Sequence, residues 1–180
     1  MSSNKLCVLF PGIGYTTDKP LLYYAGKLAK SRGYELISIK FKNLPKKDAK
    51  NEKTMMEIFE AAMEQAKSQL ENVTWQDYEE VLFVGKSIGT IVAAAYGKAD
   101  RYIYMTPLAA TFKFAKDNSG IAFHGNSDPW VETDLVINEC DRLNIPLTVY
   151  EGANHSLETG NIQKDLEYLQ DVIGRLWKEI

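Results

Sequence analysis

The chain has 180 residues, 45% of them apolar and 25% charged, and its 21 Lys and Arg against 24 Asp and Glu give a formal net charge of −3. That length amounts to one domain spanning 1–180, and it buries about 70% of its unfolded surface, so folding needs neither metal nor disulfide. The composition excludes a disordered chain, and the slight acidity excludes the electrostatic footprint of a duplex nucleic-acid binder.

In chain order, Met1-Ser2-Ser3-Asn4-Lys5 leads into the apolar run Leu6 to Phe10. The run is too short for a signal-peptide core or a membrane span, so a cytoplasmic protein without membrane association is expected. Its continuous apolarity, closed by Pro11-Gly12, reads as a buried strand. Asp18-Lys19-Pro20 offers a helix start, and Leu21, Leu22, Ala25, Leu28 and Ala29 follow at helical spacing until Gly33. Tyr34 to Phe41 is a second strand. Residues 42 to 53 are a lysine-rich loop around Pro45, and Lys40, Lys42, Lys46, Lys47, Lys50 and Lys53 read as its solvated face. Thr54 with Glu57 has the pattern of a capping box and opens a helix to about Leu70.

Further strands are expected at Glu80 to Val84, Tyr102 to Met105, Ile121 to His124 and Leu147 to Tyr150, with helices at Ile88 to Tyr96, Trp130 to Leu143 and Asn161 to Lys178. The stretch 106 to 119 carries no clear period. Six short apolar strands separated by helices imply a parallel sheet covered on both faces, a three-layer α/β/α sandwich. The two cysteines, Cys7 and Cys140, form no CxxC pair and fall in apolar patterns, so they read as reduced packing residues.

Chemistry enters after the third strand. Gly85-Lys86-Ser87-Ile88-Gly89 is G-x-S-x-G between a strand and a helix. A serine on so sharp a turn needs small residues two before and two after it, and the turn lifts its hydroxyl above the sheet edge at a helix N-terminus, where negative charge is favoured. The same five residues also describe a glycine-rich turn carrying an incidental serine, and the rest of the chain separates the two readings.

A serine hydroxyl needs an adjacent base. Of the two histidines, His155 lies in Gly152-Ala153-Asn154-His155, a loop after the sixth strand at the same sheet edge as Ser87, and it is the candidate base. His124 ends the fifth strand and reads as a packing or backbone-bonding residue. The base in turn needs a carboxylate. Asp128, on the loop after the fifth strand, is the candidate; the competing reading is a turn-forming Asp before Pro129. Asp117 precedes that strand and belongs to the wrong edge, and Asp134 falls in the following helix.

The order Ser87, Asp128, His155 matches one known triad layout. On the elbow Gly85 to Gly89, the acid loop His124-Gly125-Asn126-Ser127-Asp128-Pro129-Trp130-Val131 and the histidine loop, the chain resembles a small member of the α/β-hydrolase superfamily, from the first strand to the last helix. The resemblance implies a minimal, capless fold with sheet order two-one-three-four-five-six. It also implies a serine hydrolase in which Ser87 is nucleophile, His155 base and Asp128 orienting acid. The Ile88 amide is expected to donate to the oxyanion, and by resemblance the Ile13 amide of Pro11-Gly12-Ile13-Gly14-Tyr15 is the second donor. This chain has Pro11-Gly12 where the family often has His-Gly. Gly12 belongs to the substrate-facing loop, and Trp130 either flanks the pocket or packs.

No lid insertion larger than Thr106 to Ser119 exists, so an open site is expected; Leu108, Phe112 and Phe114 read as core residues before pocket walls. The substrate expected by analogy of fold is a small-molecule acyl compound, a carboxylic ester first, with thioester, lactone and peptide bonds left open. No cofactor or metal is implied. The competing classes are a non-catalytic module of the same fold that binds a small molecule or protein, and a nucleotide binder. The second is disfavoured because Gly12-Ile13-Gly14 lacks the final glycine of a dinucleotide loop and the second strand ends on Lys40. Spacing assigns no role to Lys86, and none of these patterns speaks to oligomeric state.

Overall fold

Continuous apolar runs make strands that are buried on both faces, and all six expected strands form. A computed structural model describes residues 4–45 and 52–180. The strands are β1 (Lys5–Phe10), β2 (Glu35–Ser38), β3 (Glu80–Lys86), β4 (Arg101–Met105), β5 (Gly120–Gly125) and β6 (Leu147–Tyr150). The helices are α1 (Pro20–Ser31), α2 (Glu52–Gln69), α3 (Ile88–Tyr96), α4 (Thr133–Arg142) and α5 (Ile162–Glu179). Every strand pairing is parallel, in the order β2-β1-β3-β4-β5-β6. The sheet thus has the order that the resemblance implied.

The two-residue period of a strand divides the core. Leu6, Val8 and Phe10 of β1 join Val81 and Phe83 of β3 against α2, α3 and α4, through Ala62, Ala66, Val92 and Val136. Cys7 and Leu9, with Leu82 and Val84, face α1 and α5 through Leu22, Ala25, Val172 and Leu176. Cys7 and Cys140 are both fully buried, and burial pushes the Cys140 thiol up to about 12, so both are packing residues.

Several boundaries differ from expectation for physical reasons. β2 stops at Ser38 rather than Phe41. Beyond it, the side-chain amide of Gln69 bonds the N–H and C=O of Lys40, and that of Gln65 bonds those of Lys42, so α2 replaces a strand as the hydrogen-bonding partner. α1 is entered through Lys19 with no side-chain cap, so Asp18 does not cap it, while Pro20 takes the first helical position. α2 begins at Glu52, which puts Thr54 inside the helix and not at its cap. Lys46, Lys47 and Lys50 lie outside the described residues, as does the side chain of Lys53. α4 starts at Thr133, so Trp130 belongs to the preceding turn. α5 has a true cap: Asn161 Oδ1 accepts from the amides of Gln163 and Lys164 at 3.1 and 3.2 Å.

The unassigned stretch 106–119 holds one short 3₁₀ turn, Ala109–Lys113. Leu108 and Phe112 are buried there as core residues, while Phe114 is exposed and stacks on Phe59 with ring centroids 5.6 Å apart. Among the described residues no helix is long and apolar enough to cross a membrane.

Candidate active site

The C-terminal ends of β3, β5 and β6 share one edge of the sheet, the edge at which open parallel sheets bind ligands. Ser87 follows β3 with φ 56° and ψ −122°, a conformation that costs a non-glycine residue about 1–3 kcal/mol. Three contacts hold it there. The Ser87 amide donates to the Met105 carbonyl at 3.1 Å. The Thr90 hydroxyl donates to the Ser87 carbonyl at 2.6 Å, and the same oxygen lies 2.6 Å from Thr111 Oγ1, from which it accepts because its own proton is committed.

The flanking glycines are required by space. A β-carbon at Gly85 would stand 2.7 Å from the Gly89 carbonyl oxygen, and one at Gly89 would stand 2.1 Å from the Phe10 carbonyl oxygen. Strand and helix therefore meet backbone to backbone, as the elbow pattern requires.

The two distant loops converge on this serine. His155 Nε2 lies 2.7 Å from Ser87 Oγ, and His155 Nδ1 lies 2.5 Å from Asp128 Oδ2. An ionised carboxylate only accepts, so Nδ1 carries the ring proton, Nε2 is left as acceptor, and the serine hydroxyl donates to it. The Trp130 amide donates to Asp128 Oδ1 at 2.9 Å. Burial works to raise the pKa of Asp128. The hydrogen bonds from His155 and the Trp130 amide, with the charge interactions of His155 and His124, outweigh it and hold the carboxyl below the usual carboxylate range.

The acid and histidine loops are tied to each other. The Ser127 amide donates to the Ala153 carbonyl at 2.9 Å, and the Gly152 amide donates to Asn126 Oδ1 at 2.7 Å. A β-carbon at Gly125 would come within 2.3 Å of the Ala153 carbonyl oxygen, so the two backbones touch. Asn154 shapes the histidine loop from within, its Oδ1 accepting from the Ser156 and Glu158 amides.

On the other side of Ser87 is the loop after β1. The Gly12 amide donates to the Tyr15 carbonyl at 2.9 Å, closing a tight turn over Ile13 and Gly14. A β-carbon at Gly12 would stand 3.2 Å from that of Ser87, so this turn lies directly beside the serine, with the Ile13 side chain exposed. Ile88 opens α3, and its side chain is buried with Ile58, Ile91 and Leu108. The Trp130 ring is partly exposed, 6.3 Å from the His155 ring and edge-on to it. Among the described residues, no group of three His, Cys, Asp or Glu side chains is placed to hold a metal ion.

No family model matches the chain, and no curated protein matches it. Solved structures do. An α/β serine hydrolase homologue from Coxiella burnetii superposes with a TM-score of 0.66 at 16% identity, over 98% of this chain and 84% of that one. A serine hydrolase without a lid from Xanthomonas campestris gives 0.58 at 15% identity, over 97% and 83%. An esterase from Pyrococcus furiosus gives 0.64 at 14% identity, over 98% and 83%.

The fold is that of the α/β hydrolases. At such identities the likeness is one of fold, and the site stands on its own geometry. Within this α/β-hydrolase fold, two residues matter at the site that the sequence did not assign.

Lys86, next to the serine, is 1% exposed, and its ammonium sits 4.9 Å from the centroid of the Tyr15 ring. A buried cation over an aromatic face ties β3 to the loop that carries Ile13. His124 is completely buried; its Nε2 is 3.1 Å from Thr133 Oγ1 and its Nδ1 is 3.9 Å from Asp128 Oδ2. Burial pushes its imidazole pKa down, against the pull of Asp128, and the buried ring backs the acid. A signal for it was present in the sequence, four residues before Asp128, but strand-end position alone pointed to packing.

Proposed function

We propose that the chain is a serine hydrolase acting on a small carboxylic ester. The observation that carries this reading is the unbroken hydrogen-bonded chain from Ser87 Oγ through His155 to Asp128, with distances of 2.7 and 2.5 Å, on a strained turn at a ligand-binding edge.

In the proposed reaction, Ser87 Oγ attacks the acyl carbonyl carbon while its proton moves to His155 Nε2. Asp128 holds the ring by its Nδ1–H and stabilises the imidazolium. The carbonyl oxygen becomes an oxyanion, which accepts from the Ile88 amide at the start of α3 and from the Ile13 amide in the turn beside Ser87. His155 returns the proton to the departing alcohol. Water then attacks the acyl-enzyme, giving its proton to His155, and the acid leaves as Ser87 is reprotonated.

Gly12 leaves room next to the Ser87 β-carbon, and the Trp130 ring edge offers an apolar wall near the leaving group. An ester is the substrate favoured by analogy, since an esterase is among the solved structures of the same fold.

The test uses a fluorophosphonate probe and short nitrophenyl esters. The wild-type chain is expected to be labelled and to hydrolyse the esters; Ser87→Ala is expected to lose labelling and about 10⁴-fold in turnover. Undiminished labelling of Ser87→Ala overturns the nucleophile assignment. A folded wild-type chain that neither labels nor hydrolyses any acyl substrate favours a binding module instead.

A further inference from the structure

The outer face of α5 is apolar where a surface helix should be polar. Ile162, Leu166 and Trp177 are 78%, 60% and 58% exposed, and they share a stripe with Leu169 and Ile173. Against α1 the stripe borders a groove of about 410 Å³ whose walls include Tyr24, Leu166, Ile173 and Trp177. None of this belongs to the site at the sheet edge.

A second observation sits beside the stripe. Gly174 lies in the middle of α5, and a β-carbon there would meet nothing within 4 Å. Glycine weakens a helix relative to alanine, and this chain's own packing gives no reason for it. An exposed glycine at the border of an apolar stripe suits the close approach of another backbone.

The charges beside the stripe decide what approaches. At 100° per residue, Glu167 and Lys178 fall on the same flank of α5, near Gln170 and Gly174. In an antiparallel pair related by a two-fold axis, like flanks meet. A crossing centred between Gln170 and Gly174 sets Leu166 against Trp177 of the second copy and Glu167 against Lys178 of the second copy. The face is thus complementary to itself, which an isologous contact requires. An anionic lipid surface fits less well, because α5 carries three basic and four acidic side chains.

We propose that two copies of this chain associate through antiparallel α5 helices that cross between Gln170 and Gly174. The partner is a second copy, and the contact is independent of the reading of the active site.

Sedimentation equilibrium of the full chain from roughly 1 to 500 µM tests it, with a dimer expected at a Kd of about 1–100 µM. Leu166→Glu is expected to raise the Kd at least about a hundredfold and to leave ester hydrolysis unchanged. Glu167→Lys and Lys178→Glu are each expected to weaken the dimer about tenfold, and the double variant to return within about threefold of wild type. Gly174→Leu is expected to raise the melting temperature measured in dilute solution while dissociating the dimer, a pair of effects that a purely structural glycine would not give.

A monomer at every concentration overturns the proposal. So does a dimer indifferent to Leu166→Glu, or a charge swap that fails to restore binding. Cosedimentation of the monomer with neutral or phosphatidylserine vesicles would assign the face to a membrane and equally overturn it.

Discussion

The two ends of the sheet each hold a carboxylate with a depressed pKa, and they use it differently. At the N-terminal edge, Glu80 accepts from Lys5 Nζ at 2.7 Å, from Arg101 Nη2 at 2.5 Å and from the Tyr34 hydroxyl at 2.5 Å. Burial opposes its charge, yet these partners lower its pKa to about 2. Arg101 also donates to the Glu179 carbonyl, which fastens the end of α5. Every group in that cluster answers another group of the chain.

At the C-terminal edge, Asp128 is held low by an imidazole whose far nitrogen meets a serine hydroxyl. This edge also carries Ser87 and Thr106, both at positive φ, and the two buried side-chain polar atoms among the described residues that lack a hydrogen bond, Thr106 Oγ1 and His124 Nδ1. A shifted pKa is common to both ends. Positive φ occurs at the other end too, but on Asn118 and Asn144, a residue type that tolerates it; unmet buried polarity, found among the described residues at one end alone, marks the end proposed to be reactive.

Breaking the reactive end should produce the largest effect. Asp128→Asn is expected to lower kcat about 10⁴-fold by favouring the wrong tautomer of His155, with the circular dichroism spectrum unchanged. Single-turnover rates with a nitrophenyl ester measure it, and a loss below tenfold would make the two carboxylates equivalent.

Next in size is Gly89→Ala. Its β-carbon would stand 2.1 Å from the Phe10 carbonyl oxygen, so α3 must shift from β1. A destabilisation of about 3 kcal/mol or more is expected in urea titration, accompanied by loss of probe labelling. Lys86→Met should be milder, since the replacement keeps the volume and removes the cation over Tyr15. About tenfold in kcat/KM is expected, with tighter loss for a transition-state analogue than for substrate, as the turn carrying Ile13 loosens.

The smallest effect belongs to the N-terminal edge. Glu80→Gln should cost about 1 kcal/mol at pH 7, because the cluster is partly screened by solvent, and should leave kcat untouched. The folded-state pKa lies below the usual value, falling from 4.5 to about 2. The stabilisation is therefore fully present above pH 4.5 and is lost as the pH falls toward 2. Urea titrations of both proteins at pH 7 and near pH 2 should show their difference shrinking; a constant difference would deny the Glu80 charge its role.

The strands, the elbow and the acid and histidine loops were legible because each rests on local pattern: continuous apolar runs, glycines two residues either side of Ser87, and loops that follow strands. The sheet order came from resemblance. What stayed hidden depends on partners far along the chain. Lys86 gains its meaning from Tyr15, 71 residues earlier, and His124 from a carboxylate that the strand-end rule does not consider. The end of β2 was misjudged because Gln65 and Gln69 reach across from α2 to take its backbone bonds. The exposed stripe on α5 stayed hidden as well, since a helical pattern does not record which part of a helix finds cover.

The seam between the acid and histidine loops has a consequence for traffic through the site. Backbone contact at Gly125 and Ala153, with the bonds from Ser127 and Gly152, makes the base and its acid a single rigid jaw. Entry and exit cannot proceed by parting them without breaking those bonds. For the proposed reaction this leaves the flank of the exposed Ile13 turn, beside Ser87 and outside those bonds, as the way in and out, and changes there should alter turnover while leaving the proton relay aligned.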